Sequence, residues 1–180
     1  MKYFLRTAII VAVLIAGYLV FIYSGIYNIS AMVPHNNLTL WMMNTVRDNS
    51  VKHNADDKIK MPVLSDDSLV KMGFVHYREM CVSCHGAPGI KQSEFAEGLY
   101  PNPPMLSKVA KDWTPQQLFW ITKNGLKMTG MPAFGPTHTD DMICAIIAFT
   151  KKLPTLTKEQ YQALDNETKD ENDEVDEHTH

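Results

Sequence analysis

The N-terminal region carries the longest apolar run of the chain. Residues 7–29 contain no charged side chain, whereas Lys2 and Arg6 precede the run and the next charged residue is Arg47. A helix rises about 1.5 Å per residue, so a run of this length can cross a hydrocarbon core of roughly 30 Å. Because the positive charges lie only on the N-terminal side, the pattern predicts a membrane anchor with its N-terminus in the cytoplasm.

A cleaved signal peptide is the alternative interpretation of this run. Its apolar region is usually about 7–15 residues long and ends at a cleavage site with small residues. The run here is longer, and Ile29-Ser30-Ala31 is only a passable cleavage site, so we favour a retained anchor. Either interpretation exports the remaining chain, which we expect on the periplasmic side of a bacterial inner membrane.

Apolar residues then recur with helical spacing, which predicts an all-α chain. A first short helix is expected near residues 35–45, with Leu38, Trp41 and Met42 on one face. This face would lie either on the membrane surface or against the following domain, and the sequence leaves both open. His35 before it is interpreted as an interfacial or capping residue.

Three further helices are expected. One follows the N-cap candidates of residues 65–68 and runs to about Met80, and another runs from Thr114 to about Lys123. The last spans residues 139–153. Because a glycine inside a helix costs about 1 kcal/mol relative to alanine, Gly73 predicts a close crossing of the first of these helices with the last.

Charge divides the rest of the chain. Residues 68–164 contain ten Lys or Arg and seven Asp or Glu, a balance of +3, whereas eight acidic residues and one lysine follow from Asp165. The sequence therefore predicts four regions: an anchor (1–30), a partly helical connector (31–64), a folded domain (65–164) and an acidic disordered tail (165–180). The basic residues are scattered, which argues against a nucleic-acid partner.

The chemistry centres on residues 81–85, Cys-Val-Ser-Cys-His. C-x-x-C-H is the attachment signature of c-type haem, in which Cys81 and Cys84 form thioethers with the vinyl groups. His85, directly after the second cysteine, is the expected proximal ligand of the iron. Pro104 is expected to place its carbonyl oxygen near Nδ1 of His85, which orients the imidazole and raises its basicity.

Other cysteine chemistry fits less well. Zinc would require a second pair of Cys or His ligands at suitable spacing, and the only other cysteine is Cys144. A thioredoxin-like dithiol would need a βαβ pattern, which is absent from the sequence. Cys144 lies in an apolar helical run and is interpreted as a buried thiol.

A sulfur ligand is expected on the second side of the haem. The segment Met128-Thr-Gly-Met131-Pro132 offers two thioethers, and Pro132 fixes the backbone after Met131. Met131 is therefore the preferred distal ligand, with Met128 and the nitrogen of His138 as alternatives. His76 is interpreted as a solvated helix residue.

These motifs together resemble a class I cytochrome c between Met72 and Leu153. With the anchor and connector included, the chain resembles membrane-anchored monohaem cytochromes of bacteria. The resemblance implies a cytochrome c-like helical domain around one covalent haem c, with iron held by His85 and Met131. The chain departs from the family pattern at Cys144, where many relatives carry a large aromatic residue.

The expected function follows from the two axial positions of the haem iron, which His85 and Met131 would fill. Met/His ligation raises the reduction potential and leaves no open site for a small-molecule substrate. We expect an electron carrier, not an enzyme, that exchanges single electrons with redox protein donors and acceptors; Lys91, Lys123 and Lys127 are candidates to steer an acidic partner. Two alternatives stay open: a haem subunit of a larger membrane oxidoreductase, and a sensor or peroxidase-type site exposed by loss of the Met ligand.

Overall fold

The computed structural model describes residues 1–55 and 59–177, with side chains up to residue 169. The chain divides into a unit that ends at Pro34 and a unit that begins at His35. All regular structure in the described residues is helical, and no strand occurs there. This confirms the predicted all-α class with one apolar helix at the N-terminus.

Helix α1 spans Lys2–Tyr23 and is long and apolar enough to cross a membrane, with a mean hydropathy of 2.4. At 1.5 Å per residue its 22 residues measure about 33 Å. The bounds of this helix differ at both ends from those of the uncharged run, residues 7–29. The helix starts earlier, and it stops where the Ser24 hydroxyl bonds the carbonyl oxygen of Phe21 and Gly25 adopts a φ of 67°.

Helix α2 spans Asn37–Asn54 and is longer than the short connector helix that the sequence predicts. The side chain of Asn36 caps it by accepting a 2.9 Å hydrogen bond from the backbone N–H of Thr39. Near its C-terminal end, Val51 is fully buried. Its predicted apolar face is exposed, so that face does not pack on the described part of the domain.

Helix α3 spans Asp67–His76 and is capped by Asp66, whose carboxylate accepts a hydrogen bond from the N–H of Leu69. It continues through a π-helical turn, Tyr77–Cys81, into helix α4, Val82–His85. The predicted helix end near Met80 is therefore too early. The extra residues place both cysteines and the histidine on the end of one continuous helical segment.

Helix α8, Asp140–Lys152, crosses α3 at Gly73 and starts at the N-cap Thr139. A Cβ added to Gly73 would overlap the carbonyl oxygen of Ala145 and lie 3.0 Å from the Cβ of Phe149. Only a residue without a side chain allows this approach. The predicted close crossing is confirmed.

Shorter helices lie between α3 and α8 in the chain. Helix α5 (Glu94–Glu97) precedes the prolines at positions 101, 103 and 104, and helix α6 (Leu106–Val109) follows them. Helix α7 spans Pro115–Asn124, where Thr114 and Gln117 form a reciprocal capping box. It ends at Gly125, with a φ of 66°.

Helix α9 spans Lys158–Glu177 and has no counterpart in the sequence prediction. The prediction of disorder from residue 165 is wrong at its start, because Asp165 pairs with Arg78 at 3.1 Å and Thr168 is buried. These contacts supply the free energy that the acidic composition alone does not. The side chains of 170–177 and all of 178–180, the rest of the predicted tail, lie outside the described residues.

Candidate functional site

The two cysteines of the motif stand on the last turns of the α3–α4 segment. Cys81 is buried and Cys84 is half-buried, and both are free thiols. Burial, with a smaller contribution from Cys84, raises the pKa of Cys81 to about 12. The sulfur of Cys81 is therefore a protonated thiol at neutral pH.

The chain leaves the motif through a tight turn. Gly86 adopts a φ of 62°, and Ala87 and Ile90 exchange two backbone hydrogen bonds of 3.0 and 2.9 Å. The hydroxyl of the buried Tyr77 donates a 2.6 Å hydrogen bond to the carbonyl oxygen of Gly86. The turn after His85 is thus fixed to the helix that carries the cysteines.

A backbone carbonyl group outside helix α4 orients the imidazole of His85. Its Nδ1 lies 2.8 Å from the carbonyl oxygen of Pro104. A carbonyl oxygen only accepts, so Nδ1 carries the proton and Nε2 keeps the lone pair that binds a metal. Burial lowers the pKa of His85, although the bond to Pro104 opposes this shift, so the ring is in its neutral, ligating form.

Gln92 joins the two sides of this site, and the sequence interpretation missed it. Its side-chain amide donates 2.7 Å hydrogen bonds to the carbonyl oxygens of Cys84 and Pro103. The side chain of Gln92 therefore fixes the distance between the end of α4 and the Pro103–Pro104 segment, whose carbonyl oxygen at Pro104 contacts the ring of His85. A glutamine in a loop gives no pattern from which this role can be inferred.

The methionine segment is held against the end of α7. The N–H of Leu126 donates to the carbonyl oxygen of Met131 at 3.2 Å, and the N–H of Met131 donates to the hydroxyl of Thr129 at 3.1 Å. A Cβ at Gly125 would lie 2.7 Å from the backbone of Pro132 and Ala133. The half-buried Met131 thus sits in a loop with a fixed backbone.

The alternative ligands have different environments. Met128 is exposed at 79% and has a φ of 60°, which is unusual for a residue with a side chain. His138 packs its ring against Phe134 at 5.3 Å and against His76 at 5.7 Å. His76 is half-buried, not fully solvated as the sequence suggests. His35 bonds through its backbone N–H to the hydroxyl of Tyr100, and its neighbour Asn36 is the cap.

The residues present fit a covalent haem. Two free thiols three residues apart precede an imidazole whose Nδ1 is already engaged, and a thioether stands in a rigid loop elsewhere in the same unit. Zinc would need further ligands nearby, and no group of three or more His, Cys, Asp or Glu side chains that could hold a metal lies together in the described part of the chain.

Comparison with known proteins supports this assignment. Residues 68–149 match the family model described as cytochrome c oxidase, cbb3-type, subunit III. Searches of curated proteins and of solved structures gave no match. The matched residues include the cysteine–histidine motif, the proline that bonds His85, and the methionine segment.

The match and the fold agree on the nature of the domain. The matched segment begins at the N-terminal end of α3 and ends within α8, so it covers the two crossing helices and everything between them. Helix α1 is long and apolar enough to span a membrane, by its length and composition. Residues 68–149 therefore form a class I c-type cytochrome domain, a haem-binding electron carrier with covalently attached haem c.

Proposed function

We propose that the protein is a monohaem cytochrome c that carries single electrons between redox proteins on the periplasmic side of a bacterial inner membrane. Cys81 and Cys84 hold the haem as thioethers. His85 is the proximal and Met131 the distal ligand of the iron. α1 anchors the protein, with its N-terminus in the cytoplasm.

One observation carries the proposal. The 2.8 Å contact between Nδ1 of His85 and the carbonyl oxygen of Pro104 fixes the tautomer and the ring orientation that a haem ligand requires. An imidazole that served only as a surface group would not need a second segment to hold it. The contact also brings together two motifs that are 19 residues apart in the sequence.

The residues of the chain have separate tasks in this function. Haem c supplies a one-electron couple when it is bound, and the protein sets the potential of that couple through its axial ligands and hydrogen bonds. His85, oriented by Pro104, is a ligand that does not need to reorient when the iron changes its oxidation state. On the other side of the haem, the hydrogen bonds of the Met131 segment and its close contact with Gly125 would likewise hold the Met131 ligand in one orientation.

Surface charge supports encounter with an acidic partner, but with fewer lysines than the sequence suggests. Lys91 and Lys127 are exposed. Lys123 instead pairs with Asp140 at 2.6 Å and lies above the ring of Phe119. We therefore assign steering to Lys91 and Lys127, an effect that falls as the ionic strength rises.

Absorption spectra of the full chain in detergent test the ligand assignment. The oxidised protein is expected to show the weak red band of iron–sulfur(Met) ligation, and Met131→Ala is expected to abolish it and to lower the reduction potential. Met128→Ala is the matched control, three residues away in the same segment, and is expected to leave both unchanged.

Two results would contradict the proposal. Loss of the band in Met128→Ala but not in Met131→Ala would assign the sulfur ligand to Met128. Absence of the band in the unaltered protein, together with ready binding of carbon monoxide to the reduced form, would show an open iron site. In that case the sensor or peroxidase-type function replaces electron transfer.

A second candidate function is that of a haem subunit in a larger membrane complex. The observation that favours it is the name of the matching family, which describes a subunit of an oxidase. The two candidates differ in size after mild detergent extraction from the native membrane. A free carrier elutes as one small species with its detergent, whereas a stable multi-protein peak that holds the haem would identify a complex subunit.

A further inference from the structure

Helix α2 presents an unusual row of large apolar side chains to solvent. Leu38, Trp41 and Val46 are each exposed at 64–65%, and Met42 at 52%. At 3.6 residues per turn, positions 38, 41, 42 and 46 share one face of the helix. Single exposed apolar residues are ordinary, but a contiguous row of this kind marks an interaction surface.

The opposite face of α2 is attached to its own unit. Val51 is fully buried, and Leu40 and Arg47 are half-buried. These three positions lie about 180° around the helix from Met42. Two sides of the helix therefore carry apolar side chains, and the described residues of its own unit cover only the side that holds Leu40 and Val51.

The connection to the anchor limits what can cover the second side. Residues 24–36 separate the end of α1 from the start of α2. Fully extended, these 13 residues reach at most about 45 Å, so an anchored α1 holds the start of α2 within that distance of the membrane surface. A bilayer surface is thus always available to this face, at an effective concentration that no diffusing partner has.

Charge and side-chain type also fit a lipid surface. Asp48, the one acidic residue of α2, pairs with Arg47 at 2.7 Å, and Lys52 and His53 occupy the last turn. The exposed row itself carries no acidic side chain that the headgroups would repel. Tryptophan prefers the boundary between headgroups and acyl chains, which is where Trp41 would then lie.

We propose that α2 lies flat on the bilayer surface, with Leu38, Trp41, Met42 and Val46 in the interfacial layer. The partner is the lipid itself, not a second protein. This contact fixes which way the haem-bearing unit faces relative to the membrane, because α2 is attached to that unit through its other side. The proposal depends on the membrane anchor and not on the identity of the iron ligands.

The test compares two labels on α2 of the full chain. Met42→Cys and Asn44→Cys, each in a Cys144→Ala background, are labelled with an environment-sensitive fluorophore and reconstituted into vesicles of phosphatidylcholine and phosphatidylglycerol. Asn44 is exposed but about 160° around the helix from Met42, so it is the matched control. Unchanged haem spectra establish that both variants are folded.

Two quenchers then separate lipid from water. We expect lipids that carry a nitroxide on the acyl chain to quench the label at residue 42 several-fold more than the label at residue 44, and aqueous iodide to show the reverse order. Equal quenching by iodide at both positions would overturn the proposal, because the face would then lie in water. Protection of residue 42 from both quenchers would also overturn it, since a protein would then cover the face.

Discussion

The hydroxyl of Tyr77 donates a 2.6 Å hydrogen bond to the carbonyl oxygen of Gly86. This bond connects the π-helical turn before the cysteines to the turn after His85, so it closes the motif at both ends. Tyr77 is fully buried. Burial also raises the pKa of Tyr77 far above its ordinary value, which keeps the hydroxyl a donor at every accessible pH.

Replacing Tyr77 by Phe should lower the free energy of unfolding. The carbonyl oxygen of Gly86 would lose its side-chain partner, which costs about 1–3 kcal/mol for a buried group. Tyr161→Phe is the control, because the hydroxyl of Tyr161 is buried without a hydrogen-bond partner in the described structure. Its removal should change stability by less than about 1 kcal/mol. Denaturant unfolding of both variants measures this difference, and equal losses would contradict the assigned role of Tyr77.

Gly73→Ala should disturb the crossing of α3 and α8. The new Cβ would overlap the carbonyl oxygen of Ala145, so the helices must separate, at a cost of about 1–3 kcal/mol or more. At Gly98, with a φ of −80°, the nearest atom to a new Cβ is 3.5 Å away. Gly98→Ala should therefore be neutral or slightly stabilising. If thermal unfolding shows the two variants to be alike, the close approach does not limit this position.

The ion pair of Asp165 should make stability depend on pH. Hydrogen bonds from Lys169 and then Arg78 lower the pKa of Asp165 below its ordinary value of 3.8. A carboxyl with a lowered pKa stabilises the fold above its unfolded-state pKa, and the contribution disappears as the pH falls through the folded-state pKa. Asp165→Asn should therefore cost about 1 kcal/mol or less at pH 7 and progressively less below about pH 4.

Unfolding free energies at several pH values between neutral and acid measure this effect. Asp112→Asn, at an exposed position that forms no ion pair with another described residue, is the control. A difference between Asp165→Asn and the unaltered protein that stays constant down to low pH would contradict the ion-pair explanation.

Gln92→Leu should loosen the connection between the cysteine helix and the segment that holds His85. Two carbonyl oxygens, of Cys84 and Pro103, would lose their donor, with an expected loss of about 1–3 kcal/mol in the free energy of unfolding. Lys91→Leu changes the exposed neighbour and should have little effect on unfolding. A reduction potential that shifts in Gln92→Leu but not in Lys91→Leu would further indicate that Gln92 positions the haem ligand. Equal stability of both variants would contradict this role.

The sequence predicts those features that follow from local patterns. α7 and α8 begin and end within one or two residues of the predicted positions, because capping residues and glycine stops act locally. The crossing at Gly73 is predictable because glycine inside a helix is costly without a packing reason. The cysteine–histidine motif is readable because its spacing is imposed by one prosthetic group.

What the sequence does not predict depends on long-range contacts. Helix α9 is too acidic to be stable by itself, and long-range contacts hold it, among them Tyr161 on Phe74 at 5.2 Å and Asp165 on Arg78. The role of Gln92 likewise depends on two carbonyl oxygens that folding brings together. The sequence leaves two partners open for the apolar face of α2, and the structure shows that the described part of the domain does not cover it.

Helix α9 has a consequence for how small the protein can be made. Phe74 is fully buried, and one of its neighbours is the ring of Tyr161, which lies beyond the family match that ends at residue 149. A shortened protein cut at the conventional domain border would expose this aromatic surface to water and to other copies of itself. Aggregation is the expected outcome, so the smallest soluble form must keep the chain through Thr168.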